Sequence, residues 1–330
     1  MRYLSAADTI AAMPSIARQL QLAEAALVSV GAAAEVPGKS AVHPRPHSSI
    51  AYAMPASLTR AVAGVRPALG MKWVTVFPDN PVSGLPAIDG LIILNEPDTL
   101  ATTAVIAASA ITAVRTAAVS GVVLARLISA TPGNATRVGL IGAGTQGRAH
   151  LPVLAYVAPE LDLVIWDRYP EKAEGLAEIA RATAGVGSAT VAEDVRMAVE
   201  GCDVLVTAAS FGPVRQVLPI DWLGQDALVI AVDYDMYASA ALAESATTFL
   251  VDEIGGFENS RREGRFEGFP DPTGTIGTFL RSGTHRPPGR GLVAHLGMGL
   301  SDLLFAVSIL DRAAELGLGI ILPDPEVGPS

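Results

Sequence analysis

From Arg137 onward, short uninterrupted apolar runs alternate with stretches in which apolar residues recur every three or four positions. Runs of the first kind belong to strands buried on both faces, and spacing of the second kind to amphipathic helices. The pattern predicts strands at Arg137–Ile141, Leu161–Trp166, Ala189–Val191, Asp203–Ala208 and Ala227–Val232, with helices at Arg148–Val157, Lys172–Thr183 and Asp194–Glu200. Such alternation builds a mostly parallel sheet covered by helices, here over residues 125–300.

The front third reads differently. Ile50–Met54, Lys72–Phe77 and Gly90–Leu94 alternate or run apolar, and Pro78–Pro86 is a turn by its proline, asparagine and glycine content. Ala101–Ala130 is read as alanine-rich helix. It is the longest candidate for crossing a membrane, but Arg115 and Arg126 would each cost about 2.5–3.5 kcal/mol there. A buried or interfacial helix is expected instead, and no membrane partner.

Composition narrows the classes further. The chain has 330 residues, room for two domains of ordinary size. Mean hydropathy is +0.40, but alanine supplies much of it and charges break the apolar runs. A single cysteine, Cys202, excludes an internal disulfide framework and a multi-cysteine metal site. Asp8, Arg18 and Glu24 interrupt the apolar core that a signal peptide needs, so a cytoplasmic location is expected. A net charge of −10 argues against nucleic acid as a partner.

Candidate chemistry centres on Val138–His150, VGLIGAGTQGRAH. Gly142, Gly144 and Gly147 stand as G-x-G-x-x-G between a buried strand and a helix. The first glycine allows a tight turn, the second lets backbone approach a pyrophosphate, and the third permits close helix–strand packing. The helix N-terminus adds amide donors and a favourable dipole. The next strand ends at Asp167, twenty residues beyond Gly147, where a carboxylate can bind both ribose hydroxyls.

The expected site is therefore of Rossmann type. Its candidate cofactor contacts are Gly142, Ala143, Gly144, Thr145, Gln146, Gly147, Asp167, Arg168 and Thr207. Asp167 would repel a 2′-phosphate, favouring NAD; Arg168 could grip that phosphate, leaving NADP open. Further on, Val232 is followed by Asp233 and Asp235 at the strand end, where ligands bind in such sheets. Two-residue alternation puts both acids on one side; one of them can face the substrate, and the plainer reading is a helix N-cap or a solvated loop acid.

Several segments in order carry a resemblance. Lys72-Trp73, Asp79-Asn80-Pro81, Gly90–Asn95 (GLIILN) and above all Ile111–Ala118 (ITAVRTAA), followed by the glycine fingerprint, resemble the ornithine cyclodeaminase/μ-crystallin family. The resemblance runs nearly end to end, from Arg45 and Met54-Pro55 to Leu296–Asp302 (LGMGLSD). It implies an α/β protein: a Rossmann-type NAD(P) domain over 125–300, inserted into a substrate-binding and dimerisation domain of residues 1–124 completed by 301–330. It also implies a homodimer.

Residue roles follow from the same resemblance. Arg45 and Arg115 match a pair that clamps the substrate carboxylate, a task suited to planar guanidinium forks. Lys72 matches the active-site lysine, and Asp235 the acid at the reacting nitrogen. His43, His47 and His295 are capable of acid–base work, but as lone histidines they are assigned none.

The implied function is an NAD(P)-dependent oxidoreductase that interconverts an α-amino acid and its imine by hydride transfer at the α-carbon. A redox-neutral cyclodeaminase and a non-catalytic, crystallin-like binding protein are the alternatives. Ornithine cyclodeaminases carry a glutamate two residues before Met-Pro, where this chain has Tyr52, and a second commonly acidic position falls here within Ala107–Ser109; both departures weaken a diamine substrate. Finally, Gly268–Gly291 is too rich in glycine and proline for a regular element, and reads as a connector or as a loop closing over the pocket.

Overall fold

Two units divide the chain, one comprising Met1–Arg115 with Met298–Ser330 and the other Thr116–Gly297. The division falls earlier than the 124/125 and 300/301 boundaries read from the sequence, its first cut lying inside the helix Ser109–Leu127. The computed structural model describes residues 1–45, 49–128, 136–212 and 214–323.

In the first unit a mixed sheet runs in the order Ile320–Ile321, Arg2–Leu4, Thr102–Ala107, Ile88–Asn95, Ala68–Val76, Ile50–Leu58, Ala34–Glu35, with Ser40–Val42 also pairing on Ile50–Leu58. Both chain ends thus enter one sheet: Tyr3 pairs with Ile320 on one side and Val105 on the other. Alternation sorts the faces. Along Ala68–Val76, residues Ala68, Gly70, Lys72 and Val74 are buried, while Trp73 and Thr75 point the other way and are exposed.

The helix Gly299–Glu315 packs on Ile50–Leu58, Ala68–Val76 and Ile88–Asn95. Its first residue has to be glycine for that approach, because a Cβ on Gly299 would lie 2.5 Å from the Met54 carbonyl oxygen. One expectation fails in this unit. Thr102–Ala107 is a strand, its threonines, Val105 and Ile106 favouring the pleated state, and the helix starts only at Ser109.

The second unit holds a sheet whose pairings are all parallel, in the order Val186–Val191, Leu161–Trp166, Arg137–Ile141, Val204–Thr207, Leu228–Ala231, Gly291–Ala294, Thr248–Val251, Gly274–Thr275. The chain winds outward to one side of Arg137–Ile141 and then returns to its other side. The carboxyl edge there is a topological switch point, the place where ligands bind in doubly wound sheets.

Two further readings are corrected in this unit. Gly268–Gly291 contains the strand Gly274–Thr275 and the helix Ile276–Ser282, because Thr275 and Thr278 form a reciprocal capping box and Gly283 closes the helix in the left-handed conformation. The strand before Asp233 ends at Ala231, and Tyr234 has φ of 63°, so strand alternation does not govern Asp233 and Asp235. Ser109–Leu127 is long and apolar enough to cross a membrane by composition alone, but 67% of its most apolar window is buried inside the protein.

Candidate active site

The first unit gathers three charges under its sheet. Lys72 comes from the strand Ala68–Val76, Arg115 from the helix Ser109–Leu127, and Asp302 from the first turn of Gly299–Glu315. Lys72 Nζ lies 2.7 Å from Asp302 Oδ2, and Arg115 Nε donates to Asp302 Oδ1 at 3.1 Å. Lys72 also reaches Thr112 Oγ1 at 3.5 Å. All three charged side chains are buried, Lys72 being 2% exposed.

Burial and charge set their protonation. Burial pushes Lys72 down to about 7, Asp302 working against the shift and Arg115 with it. Burial alone would raise the Asp302 carboxyl, but Arg115 and Lys72 outweigh it and hold it below the ordinary range. Since a guanidinium keeps its proton, Arg115–Asp302 is the permanent ion pair. Lys72 is the member able to give or take a proton near neutrality.

The structure brings together Lys72 and Arg115, both singled out from the sequence, and adds Asp302, which was not. The signal was an acid at the end of LGMGLSD, three residues past a glycine that lets the helix meet the sheet. Arg45, in contrast, is exposed in the loop after Ser40–Val42, where its backbone N–H donates to Ser49 Oγ at 3.0 Å. His43 is exposed in the same loop, and His47 lies outside the described residues.

In the second unit the glycine fingerprint forms a loop at the switch point. Gly142 has φ of 103°, and a Cβ there would lie 2.6 Å from the Ala208 carbonyl oxygen. A Cβ on Gly147 would come within 2.1 Å of the Gly142 carbonyl oxygen. Gly144 differs, because a Cβ there would meet only open space. The helix Thr145–Val157 begins at Gly144 with no side-chain cap, which leaves its first amides to an outside acceptor.

Asp167 braces this loop from the neighbouring strand end, its Oδ2 accepting from the Ala143 amide at 2.8 Å and its Oδ1 from the Tyr169 amide at 2.9 Å. Arg168 and Thr145 are exposed, and Gln146 Oε1 is buried with no hydrogen-bond partner among the described residues. Thr207 is wholly buried, its hydroxyl donating to Asp233 Oδ1 at 2.6 Å. The residues present fit a dinucleotide: a cradle open at Gly144, uncapped amides for phosphate, and an acid at the second strand.

The two acids expected on one side of the strand end are placed differently. Asp233 takes the Thr207 hydroxyl and the Ala209 amide, and burial pushes it up to about 7 against those bonds. Asp235 meets Arg215, a residue no motif marked, with Nε 2.5 Å from Oδ2.

A buried chain of hydrogen bonds lies behind the loop. Burial lowers His150 to about 4, so it is neutral at pH 7. Its Nδ1, 2.7 Å from the Gln146 carbonyl oxygen, must carry the proton, and Nε2 accepts from Ser120 Oγ at 2.9 Å. Ser120 Oγ in turn accepts from His295 Nε2 at 2.8 Å. This run of bonds fixes the tautomers of both histidines.

Comparison with known proteins agrees with this architecture. Residues 3–250 match the model of the ornithine cyclodeaminase/mu-crystallin family. The nodulation efficiency protein NfeD of Rhizobium meliloti is 31% identical over 330 residues, covering 98% of each chain. Thermococcus litoralis Δ1-pyrroline-2-carboxylate reductase, solved with NADH and L-proline, superposes with a TM-score of 0.84 at 23% identity, over 98% of this chain and 100% of that one. An archaeal alanine dehydrogenase dimer with bound NAD gives 0.82 at 24% identity, over 97% and 98%. The two structures establish likeness of fold; the family match and the full-length relative go further, and the chain belongs to the ornithine cyclodeaminase/mu-crystallin family.

Proposed function

We propose that this chain is an NAD-dependent oxidoreductase that interconverts an α-amino acid, or an N-substituted one, with its imine. The observation that carries the reading is the buried Lys72–Asp302–Arg115 cluster, in which a lysine brought to about 7 stands beside a fixed guanidinium. A carboxylate-bearing imine needs such a pair: one cation to hold the carboxylate and one group to move a proton.

Arg115 meets Asp302 through Nε, which leaves the terminal nitrogens of its fork for the substrate carboxylate. Lys72 then gives a proton in the reductive direction and takes one in the oxidative direction. Asp235 serves the reacting nitrogen, and Arg45 is a second cation for the carboxylate. When bound, the nicotinamide supplies or accepts the hydride. The residues that would hold the dinucleotide are Gly142–Gly147, with Asp167 at its ribose. NAD is favoured because the Asp167 carboxylate at the strand end would repel a 2′-phosphate, although exposed Arg168 beside it leaves NADP to be tested.

The assay follows nicotinamide absorbance while NADH or NADPH is offered with cyclic imino acids, and with keto acids plus amine. Stoichiometric oxidation with one class is expected, NADH above NADPH. Ammonia release from a diamino acid without net change in absorbance would overturn the reading in favour of a cyclodeaminase. Tyr52 where ornithine cyclodeaminases hold an acid speaks against that outcome.

The working form is proposed to be a homodimer in the cytoplasm. Trp73 and Leu91 face each other across neighbouring strands, 39% and 41% exposed, on the sheet face opposite Lys72. An apolar sheet face of this kind is suited to a second copy. Sedimentation should give twice the chain mass for the wild type, and Trp73→Lys should shift it to the monomer.

A further inference from the structure

Asp235 is 2% exposed, and its two oxygens have unlike surroundings. Oδ2 accepts twice, from Arg215 Nε at 2.5 Å and from the Phe266 amide at 2.7 Å. Oδ1 is buried and has no hydrogen-bond partner among the described residues. Buried carboxylate oxygens are seldom left so, and an unpaired acceptor at the carboxyl edge of a doubly wound sheet stands where ligands bind in such folds.

Arg215 is built to hold this arrangement. It follows the strand Val204–Thr207, is 40% exposed at its side chain, and spends a second donor on the Gly264 carbonyl oxygen at 2.7 Å. One guanidinium thus ties Asp235 to the turn that also supplies the Phe266 amide. The backbone on both sides is committed: Tyr234, next to Asp235, has φ of 63° and Phe266 φ of 54°, and their rings stack at 5.9 Å. Non-glycine residues hold the left-handed region only where the surroundings enforce it.

We propose that Arg215 is a positioning residue for the reaction. By tying down Oδ2 it fixes the carboxylate plane, so that Oδ1 alone meets the reacting nitrogen. The proposal rests on the reading of Asp235 given above, and adds to it which oxygen acts and what aims it. It also divides the labour. Asp235, ion-paired to Arg215, is the acceptor that orients the nitrogen, and Lys72 is the group that moves the proton.

A mutant cycle tests it, with Arg215→Ala and Arg215→Lys made in the wild type and in Asp235→Asn. Circular dichroism and thermal midpoints first establish that each variant is folded, which the partial exposure of Arg215 favours. Arg215→Ala is expected to lower kcat by roughly 30-fold, since misplacing a reacting group by about 1 Å can cost as much as 100-fold. The KM for NADH should stay within about twofold, because no dinucleotide contact is removed. Arg215→Lys should recover part of kcat by restoring the charge without the fork.

In the Asp235→Asn background, Arg215→Ala should change kcat by less than about twofold, since residues acting as a unit are non-additive. Equal effects of Arg215→Ala in both backgrounds would overturn the positioning role while leaving Asp235 in place. Full kcat in Arg215→Ala beside an inactive Asp235→Asn would do the same. Full turnover in Asp235→Asn would instead remove the underlying reading of Asp235, and the proposal with it.

Discussion

Replacing Lys72 by methionine is expected to lower turnover by about 1,000-fold, the scale of a lost general acid–base group, while leaving the protein folded. Methionine keeps most of the lysine stem volume, and Asp302 retains Arg115 as a partner at 3.1 Å. Exchanging a buried cation for an apolar group is often neutral or stabilising when no opposite charge is orphaned. A thermal midpoint at or above that of the wild type at pH 7 would separate loss of chemistry from loss of fold.

The pH dependence carries a sign. With Lys72 brought down to about 7, imine reduction should fall as pH rises through that value and amine oxidation should rise through it. Stability follows from the same shift. Between about 7 and the ordinary lysine value of 10.5, the unfolded chain binds a proton that the folded one does not, so folding is favoured progressively as pH rises across that window. Lys72→Met should flatten both curves. A reductive profile with no limb near pH 7 in the wild type would exclude Lys72 as the proton donor.

What the sequence disclosed about this molecule depended on how each part is encoded. The parallel sheet is readable because strands buried on both faces must be apolar without a break, as Leu228–Ala231 is, and because two glycines of the fingerprint, Gly142 and Gly147, answer to contacts no other residue fits. Thr102–Ala107 escaped because a short alternating strand runs directly into an alanine-rich helix, and the combined segment has the composition of one long helix. Arg2–Leu4 and Ile320–Ile321 are too short to carry a period of their own; their pairing is a fact of the tertiary fold.

The site divides along the same line. Lys72 and Arg115 could be named because adjacent segments resemble a family, not because lysine on a strand or arginine on a helix announces chemistry. Asp302 looks, in sequence, like an acid placed for a helix dipole, and becomes a candidate only when folding brings Lys72 against it. Strand alternation puts Asp233 and Asp235 on one side, yet the strand stops at Ala231 and the left-handed Tyr234 separates them. Arg215 had no signal at all: its meaning lies in an acid twenty positions later that folding brings to 2.5 Å.

Asp302→Asn is expected to have the largest effect on stability of any change in the first unit, about 3–5 kcal/mol, the usual cost of leaving buried charge without its counterion. Against a total of roughly 5–15 kcal/mol for a domain, that loss would lower the urea midpoint sharply. The two cations do not suffer alike. Lys72 already stands at about 7 with Asp302 present, and without it can escape by releasing its proton, whereas the Arg115 guanidinium cannot. The residual penalty therefore belongs to Arg115. Adding Lys72→Met to Asp302→Asn should recover little stability above pH 7 and progressively more below it, where the lysine would otherwise be forced to carry charge. Equal urea midpoints for Asp302→Asn and the wild type at pH 6 would mean that water reaches this cluster, and that the buried ion pair is not what holds the helix Gly299–Glu315 to its sheet.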